Sequence, residues 1–107
     1  MVHVQVTYRI RSGRLEEAGR EIADFVESLR AGPERYENYH ILRHAGDSAS
    51  FVHWMQFRDH EAQQEHVQSP HVRRFVENML ALCEAGPVYN DLNPVAELGN
   101  GADIGHR

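Results

Sequence analysis

Residues 59–87 read DHEAQQEHVQSPHVRRFVENMLALCEAGP, and few folds accommodate such a stretch. It carries two helix starts and one helix stop. Asp59 can cap a short helix over residues 60–66 by offering its carboxylate to free backbone N–H groups. Ser69 can cap a second, longer helix, whose first position, Pro70, has no N–H to lose. Gly86-Pro87 reads as the end of that second helix. Val72, Phe75, Val76, Met79, Leu80 and Cys83 recur at helical spacing and supply its buried stripe. The stretch is therefore a bent helix pair with three imidazoles, His60, His66 and His71, around its break.

The rest of the chain supplies strands and one more helix. Val2, Val4, Val6, Tyr8 and Ile10 alternate with His3, Gln5, Thr7 and Arg9, which predicts a strand over residues 2–10. Leu15, Ala18, Ile22, Phe25, Val26 and Leu29 predict an amphipathic helix over residues 14–30, stopped by Gly32-Pro33. Residues 36–44 read as a second strand, with Tyr39, Ile41 and Arg43 on one face and His40, Leu42 and His44 on the other. Gly46-Asp47-Ser48 is a hairpin loop into a third strand over residues 50–57. Phe51, His53, Met55 and Phe57 oppose Val52, Trp54 and Gln56, so both faces of that strand carry apolar groups and expect cover. A short strand over residues 88–92 ends the domain. The order βαββαβ predicts an α+β, ferredoxin-like fold with an antiparallel sheet and all helices on one face. The other sheet face would then be bare, and a symmetric homodimer would cover it. The expected domain is residues 1–96, with residues 97–107, glycine-rich and poor in apolar groups, as a flexible tail.

Composition narrows the partners. The chain has 107 residues and a net charge of −5, which argues against nucleic acid, since phosphate binding needs a cationic footprint. No apolar run approaches the ~20 residues of a membrane span. The single cysteine, Cys83, excludes an internal disulfide, fits a reducing cytoplasm and reads as a buried helix residue.

The segment FVHWMQFRDHEAQQEHVQSPHVRRFV resembles the antibiotic biosynthesis monooxygenase (ABM) superfamily of dimeric α+β barrels. The resemblance lies in a strand ending in an aromatic, Phe57, then Asp59, Ala62, His66 and Ser69-Pro70-His71, with Gly86-Pro87 opening the last strand. It spans roughly residues 2–96. The superfamily includes cofactor-free quinol oxygenases, haem-degrading enzymes, an isomerase of a phosphorylated signalling sugar, and members without known activity. The resemblance implies a pocket in each subunit between sheet and helices. In members that oxygenate polycyclic phenols, the substrate's own electron-rich anion reduces oxygen without flavin, haem or metal. The protein's task is then to bind the aromatic, help remove a phenolic proton and stabilise the anion. This chain departs from the pattern at Met55, where many relatives carry a glutamate. The haem-degrading branch fits poorly, because its tryptophan falls near His66 and its histidine at Val76.

Against this background His66 is the candidate catalytic base or anion stabiliser, since a near-neutral imidazole suits proton transfer. Its alternative role is to cap the last carbonyls of its helix. His53, Tyr39, Trp54 and His71 are the candidate substrate-binding residues. His53 is also read as a core histidine, Trp54 as core or interface, and His71 as an exposed first-turn residue; Tyr36 and the pair His40 and His44 have similar bland readings. His66 and His71 lack the i, i+4 spacing of a helical zinc pair, and no cysteine or carboxylate cluster completes a ligand set, so neither metal nor cofactor is expected. The leading expectation is a cofactor-independent monooxygenase using oxygen on a quinol-like or polyphenolic small molecule. An isomerase of a phosphorylated sugar-like compound, with Arg9 or Arg43 meeting phosphate, and a non-catalytic ligand-binding dimer are the alternatives.

Overall fold

The computed structural model describes residues 1–98. Its elements run β1 (Val2–Ile10), α1 (Leu15–Ala31), β2 (Asn38–Arg43), β3 (Ser50–Phe57), α2 (His60–Gln68), α3 (Pro70–Leu80) and β4 (Cys83–Leu92). The strands form one antiparallel sheet in the order β2-β3-β1-β4. This is the α+β, ferredoxin-like arrangement, with its second helix broken into α2 and α3. Part of the expected tail, residues 99–107, lies outside the described residues. Among the described residues no helix is long and apolar enough to cross a membrane.

The alternation of β1 and β3 decides which side chains meet. Val4 lies opposite Met55, Val6 opposite His53 and Tyr8 opposite Phe51. Directly opposed residues in an antiparallel pair point to the same face, so these side chains share the face that the helices cover. Phe51, His53, Met55 and Phe57 are all buried there. The helices seal the core with Ala18, Phe25, Leu29, Val72, Phe75 and Met79. Rings of Phe25 from α1 and Phe75 from α3 stack at 4.1 Å and 9°, which ties the two helices together above the sheet.

The break between α2 and α3 differs from expectation in its chemistry. Asp59 does cap α2, its Oδ1 accepting from Ala62 N at 2.8 Å. Ser69 makes no side-chain cap for α3. Its hydroxyl instead donates back to the His66 carbonyl at 2.7 Å, and its N–H reaches the same oxygen at 3.2 Å. Ser69 thus satisfies the end of α2 rather than the start of α3, while Pro70 opens α3 as expected.

The end of α3 is a correction. Gly86-Pro87 does not stop the helix, which finishes at Leu80. Cys83, expected in a helix, is buried but begins β4. Strand pairing explains the early stop: Cys83 lies opposite Ile10 and Ala85 opposite Arg9, and Arg11 N–H bonds the Leu82 carbonyl at 2.8 Å. Long-range pairing outweighs local helical periodicity here. Gly86 sits inside β4 at φ +80°, where a Cβ would stand 2.6 Å from the Thr7 carbonyl oxygen. The glycine therefore serves a close approach of β4 to β1, beside a register shift of the edge strand. Strand β2 is also shorter than the expected residues 36–44.

The second face of the sheet carries His3, Thr7, Val52, Trp54, His40, Leu42, Val88 and Leu92 by register. Among the described residues no helix lies over it, and Leu42, Val88 and Leu92 are exposed there.

Candidate active site

Between the sheet and the helices lies a cavity of about 700 Å³, in the size range of small-molecule sites. Its floor comes from β1, β3 and β2 through Val4, Val6, Tyr8, His53, Met55 and Tyr39. Its roof comes from Phe25, His66, Val72, Phe75 and Met79. Charged and amide groups, Gln63, Arg73, Glu77 and Asp91, stand among the apolar lining residues, and Gln63 donates to Asp91 at 3.3 Å between α2 and β4. The wall is mainly hydrocarbon and aromatic, with few polar groups, an arrangement that strengthens each polar contact made inside.

His66 enters from the last turns of α2, and the break after Gln68 keeps it over the sheet. It is 5% exposed, and its ring packs between Phe57 at 5.2 Å and Tyr39 at 5.7 Å. Among the described residues no protein group hydrogen-bonds its ring nitrogens. Burial, with smaller contributions from His71 and Arg35, pushes its pKa down to about 4. At pH 7 His66 is therefore a neutral imidazole with an unengaged lone pair in an apolar cavity. Its side chain does not cap its own helix; Ser69 meets the His66 carbonyl instead.

His53 is held differently. Its Nε2 is 2.7 Å from the Tyr8 hydroxyl and its Nδ1 3.0 Å from the Tyr39 hydroxyl. Burial, then the His66 charge, lowers its pKa to about 4. Burial raises the pKa of both tyrosines above the ordinary phenol range. All three groups are neutral at pH 7.

Three of the expected residues, His66, His53 and Tyr39, thus meet in one cavity. Two do not. Trp54 lies on the opposite face of the sheet, 5.3 Å from the His40 ring and 6.1 Å from His3. Alternation along β3 makes this unavoidable once His53 faces the helices. His71 sits in the first turn of α3, near Gly32 and Phe25, and does not line the cavity. Arg9 and Arg43, the expected phosphate partners, are elsewhere too: Arg9 pairs with Asp47 and Glu84, and Arg43 lies 5.0 Å over Phe51. Sequence reasoning left out Tyr8. A phenol among aliphatic residues on an inward strand face is the signal that marks it. Met55 is buried in the cavity wall and offers no proton acceptor. Among the described residues no three His, Cys, Asp or Glu side chains are grouped to hold a metal ion.

Comparisons with known proteins agree with this architecture. No curated protein matches the chain. The crystal structure of an antibiotic biosynthesis monooxygenase is similar at TM-score 0.80 and 20% identity, over 90% of this chain and all of that one (100%). Rv0793 from Mycobacterium tuberculosis is similar at TM-score 0.79 and 19% identity, covering 92% of this chain and 98% of that one. PA3566 from Pseudomonas aeruginosa is similar at TM-score 0.76 and 25% identity, covering 89% and 94%. The model of the family described as "Antibiotic biosynthesis monooxygenase" matches residues 1–78. With most of its length matched by that model, this chain belongs to the antibiotic biosynthesis monooxygenase family.

Proposed function

We propose that this protein is a cofactor-independent monooxygenase of a quinol-like or polyphenolic small molecule. The observation that carries the reading is the neutral, unengaged imidazole of His66 inside an apolar cavity large enough for a polycyclic phenol. The chemistry balances without an external reductant. An activated carbon loses two hydrogens and gains one oxygen atom, the second oxygen atom leaves as water, and the substrate supplies all four electrons. His66 takes the phenolic proton, leaving an anion rich enough in electrons to reduce oxygen, and gives a proton back to the reduced oxygen. An imidazole at about 4 is a weak base for a phenol near 10. The phenolate it creates lies beside it in a low-dielectric site, and that attraction lifts the imidazole toward the range where transfer works. Met55 offers no proton acceptor, and of the two imidazoles in the cavity His66 is the one whose ring nitrogens no described protein group engages.

The reading includes a homodimer through the bare sheet face, supported by exposed Leu42, Val88 and Leu92 around Trp54. A buried free Cys83 fits a reducing cytoplasm.

The test is oxygen consumption with hydroquinones and dihydroxynaphthalenes, using chelator-treated protein and His66→Ala. Uptake that survives chelation and falls about tenfold or more in the variant, a barrier rise of about 1.4 kcal/mol, is the expected result. Uptake unchanged in the variant removes His66 from the chemistry. Uptake never exceeding the protein-free rate with any substrate of the panel refutes the oxygenase reading.

A further inference from the structure

We propose that Tyr8, His53 and Tyr39 form a proton relay in the cavity wall, and that it takes a ligand presenting one protonated and one unprotonated oxygen. The proposal rests on the cavity's use for a phenolic ligand and narrows that class.

His53 sits between two hydroxyls, Tyr8 at Nε2 and Tyr39 at Nδ1. A neutral imidazole has one N–H donor and one acceptor nitrogen. One tyrosine must therefore donate to His53 and the other must accept from it. The accepting tyrosine keeps its own hydroxyl proton free to donate elsewhere, and the donating tyrosine keeps only lone pairs. Both side chains line the cavity, so the relay offers a ligand one donor at one end and one acceptor at the other. Switching the His53 tautomer exchanges the ends. Burial keeps the three groups neutral at pH 7, with His53 down at about 4 and both phenols raised, so the relay does not stall on a fixed charge.

The matching ligand has a hydroxyl for one end and a carbonyl or ether oxygen for the other, as in a keto-phenol or a singly alkylated quinol. For a conjugated keto-phenol, though not for an ether, proton transfer through the relay also balances. The ligand hydroxyl gives its proton to the Tyr8 oxygen, Tyr8 passes its own proton to Nε2, Nδ1 releases its proton to the Tyr39 oxygen, and Tyr39 donates its own to the second ligand oxygen. One O–H bond breaks on the ligand and one forms, His53 ends in the other tautomer, and no group is left charged. The relay thereby moves a proton between two oxygens of one ligand, which exchanges the hydroxyl and carbonyl ends of a conjugated keto-phenol. His66 remains separate, since it passes the phenolic proton to reduced oxygen and not to a second oxygen of the ligand.

The test uses binding under nitrogen, so that oxidation does not intervene. The probes are 4-methoxy-1-naphthol, with one donor, and 1,4-dimethoxynaphthalene and 1,4-naphthoquinone, with none. The expected result is a preference for the naphthol of about tenfold or more in the unaltered protein, because a donorless ligand leaves a buried acceptor unmet. In Tyr8→Phe and Tyr39→Phe the preference shrinks to about threefold or less. Nitrogen-15 spectra of the unaltered protein give an independent readout that needs no variant. His53 should show one protonated and one bare nitrogen at pH 7, and the naphthol should drive it to a single tautomer. Binding without donor preference, a preference kept in both variants, or a cationic His53 at pH 7 overturns the relay and leaves the cavity reading standing. Failure of all three probes to bind overturns the cavity reading, and the relay as a ligand site with it.

Discussion

Acid should unfold this protein earlier than its carboxylates require. His53 and His66 are held near 4 from an ordinary value of 6.5, in both cases chiefly by burial. The folded state keeps both rings neutral, while the unfolded chain protonates them near 6.5. The unfolded chain therefore binds the extra protons, and stability falls as pH drops through the window from 6.5 to 4 and is flat above it. Fully expressed, each depressed imidazole corresponds to about 3 kcal/mol; at pH 5 the loss is about 2 kcal/mol per ring. Two rings together remove roughly 3–4 kcal/mol by pH 5, a large share of the ~5–15 kcal/mol typical of a domain. Asp47 and Asp59 do not confuse the window: both carboxyls are lowered from 3.8, chiefly by hydrogen bonds from Arg9 and the Ala62 N–H respectively, so their contribution is lost only at lower pH. The assay is urea unfolding at pH 8, 6.5 and 5, repeated on His53→Gln with His66→Gln, reading the pH slope rather than the absolute stability. His71 is lowered from 6.5 as well, chiefly by burial, and leaves a residual slope; a stability that stays flat from pH 8 to 5, or a slope as steep in the double variant as in the parent, refutes the reasoning.

Two further outcomes follow from the fold. Gly86→Ala should destabilise by roughly 2–4 kcal/mol in denaturant titration, since the residue holds φ +80° and its Cβ would press on the Thr7 carbonyl; a loss under about 0.5 kcal/mol would mean the β1–β4 approach relaxes freely. Trp54→Arg should weaken self-association by about a hundredfold in sedimentation and leave cavity binding unchanged, because the tryptophan lies on the other sheet face; a monomeric parent protein, or lost cavity binding in the variant, would contradict this.

The local pattern carried far in some elements and stopped short in others. Alternation gave the bounds of β1 and β3 as observed, and helical spacing placed α1 within a residue at each end. Asp59 announced its cap because an N-cap needs only its own next few residues. Ser69 misled for the same kind of reason: its sequence context suits a cap, yet the tight break gives its hydroxyl a nearer carbonyl at His66. The Leu80 end of α3 was out of reach, because Cys83 and Ala85 are drawn into pairing by β1, at the far end of the chain. The site shows the same division. His66 and His53 were visible as imidazoles at a helix break and on an inward strand face. Trp54 was assigned to the pocket despite alternating with His53, and Tyr8 was named only as part of the alternation of β1.

The sequence by itself determined the order of elements, the apolar face of β1 and the imidazoles around the break between α2 and α3, since these depend on periodicity and residue type along a few neighbouring positions. Tertiary structure alone decided that β1 lies between β3 and β4, that Gly86 serves a strand contact, and that Tyr8, His53, Tyr39 and His66 share one cavity. The physical reason is that strand pairing and burial join residues far apart in the chain. Burial in turn sets which imidazoles stay neutral and which hydroxyls face one another.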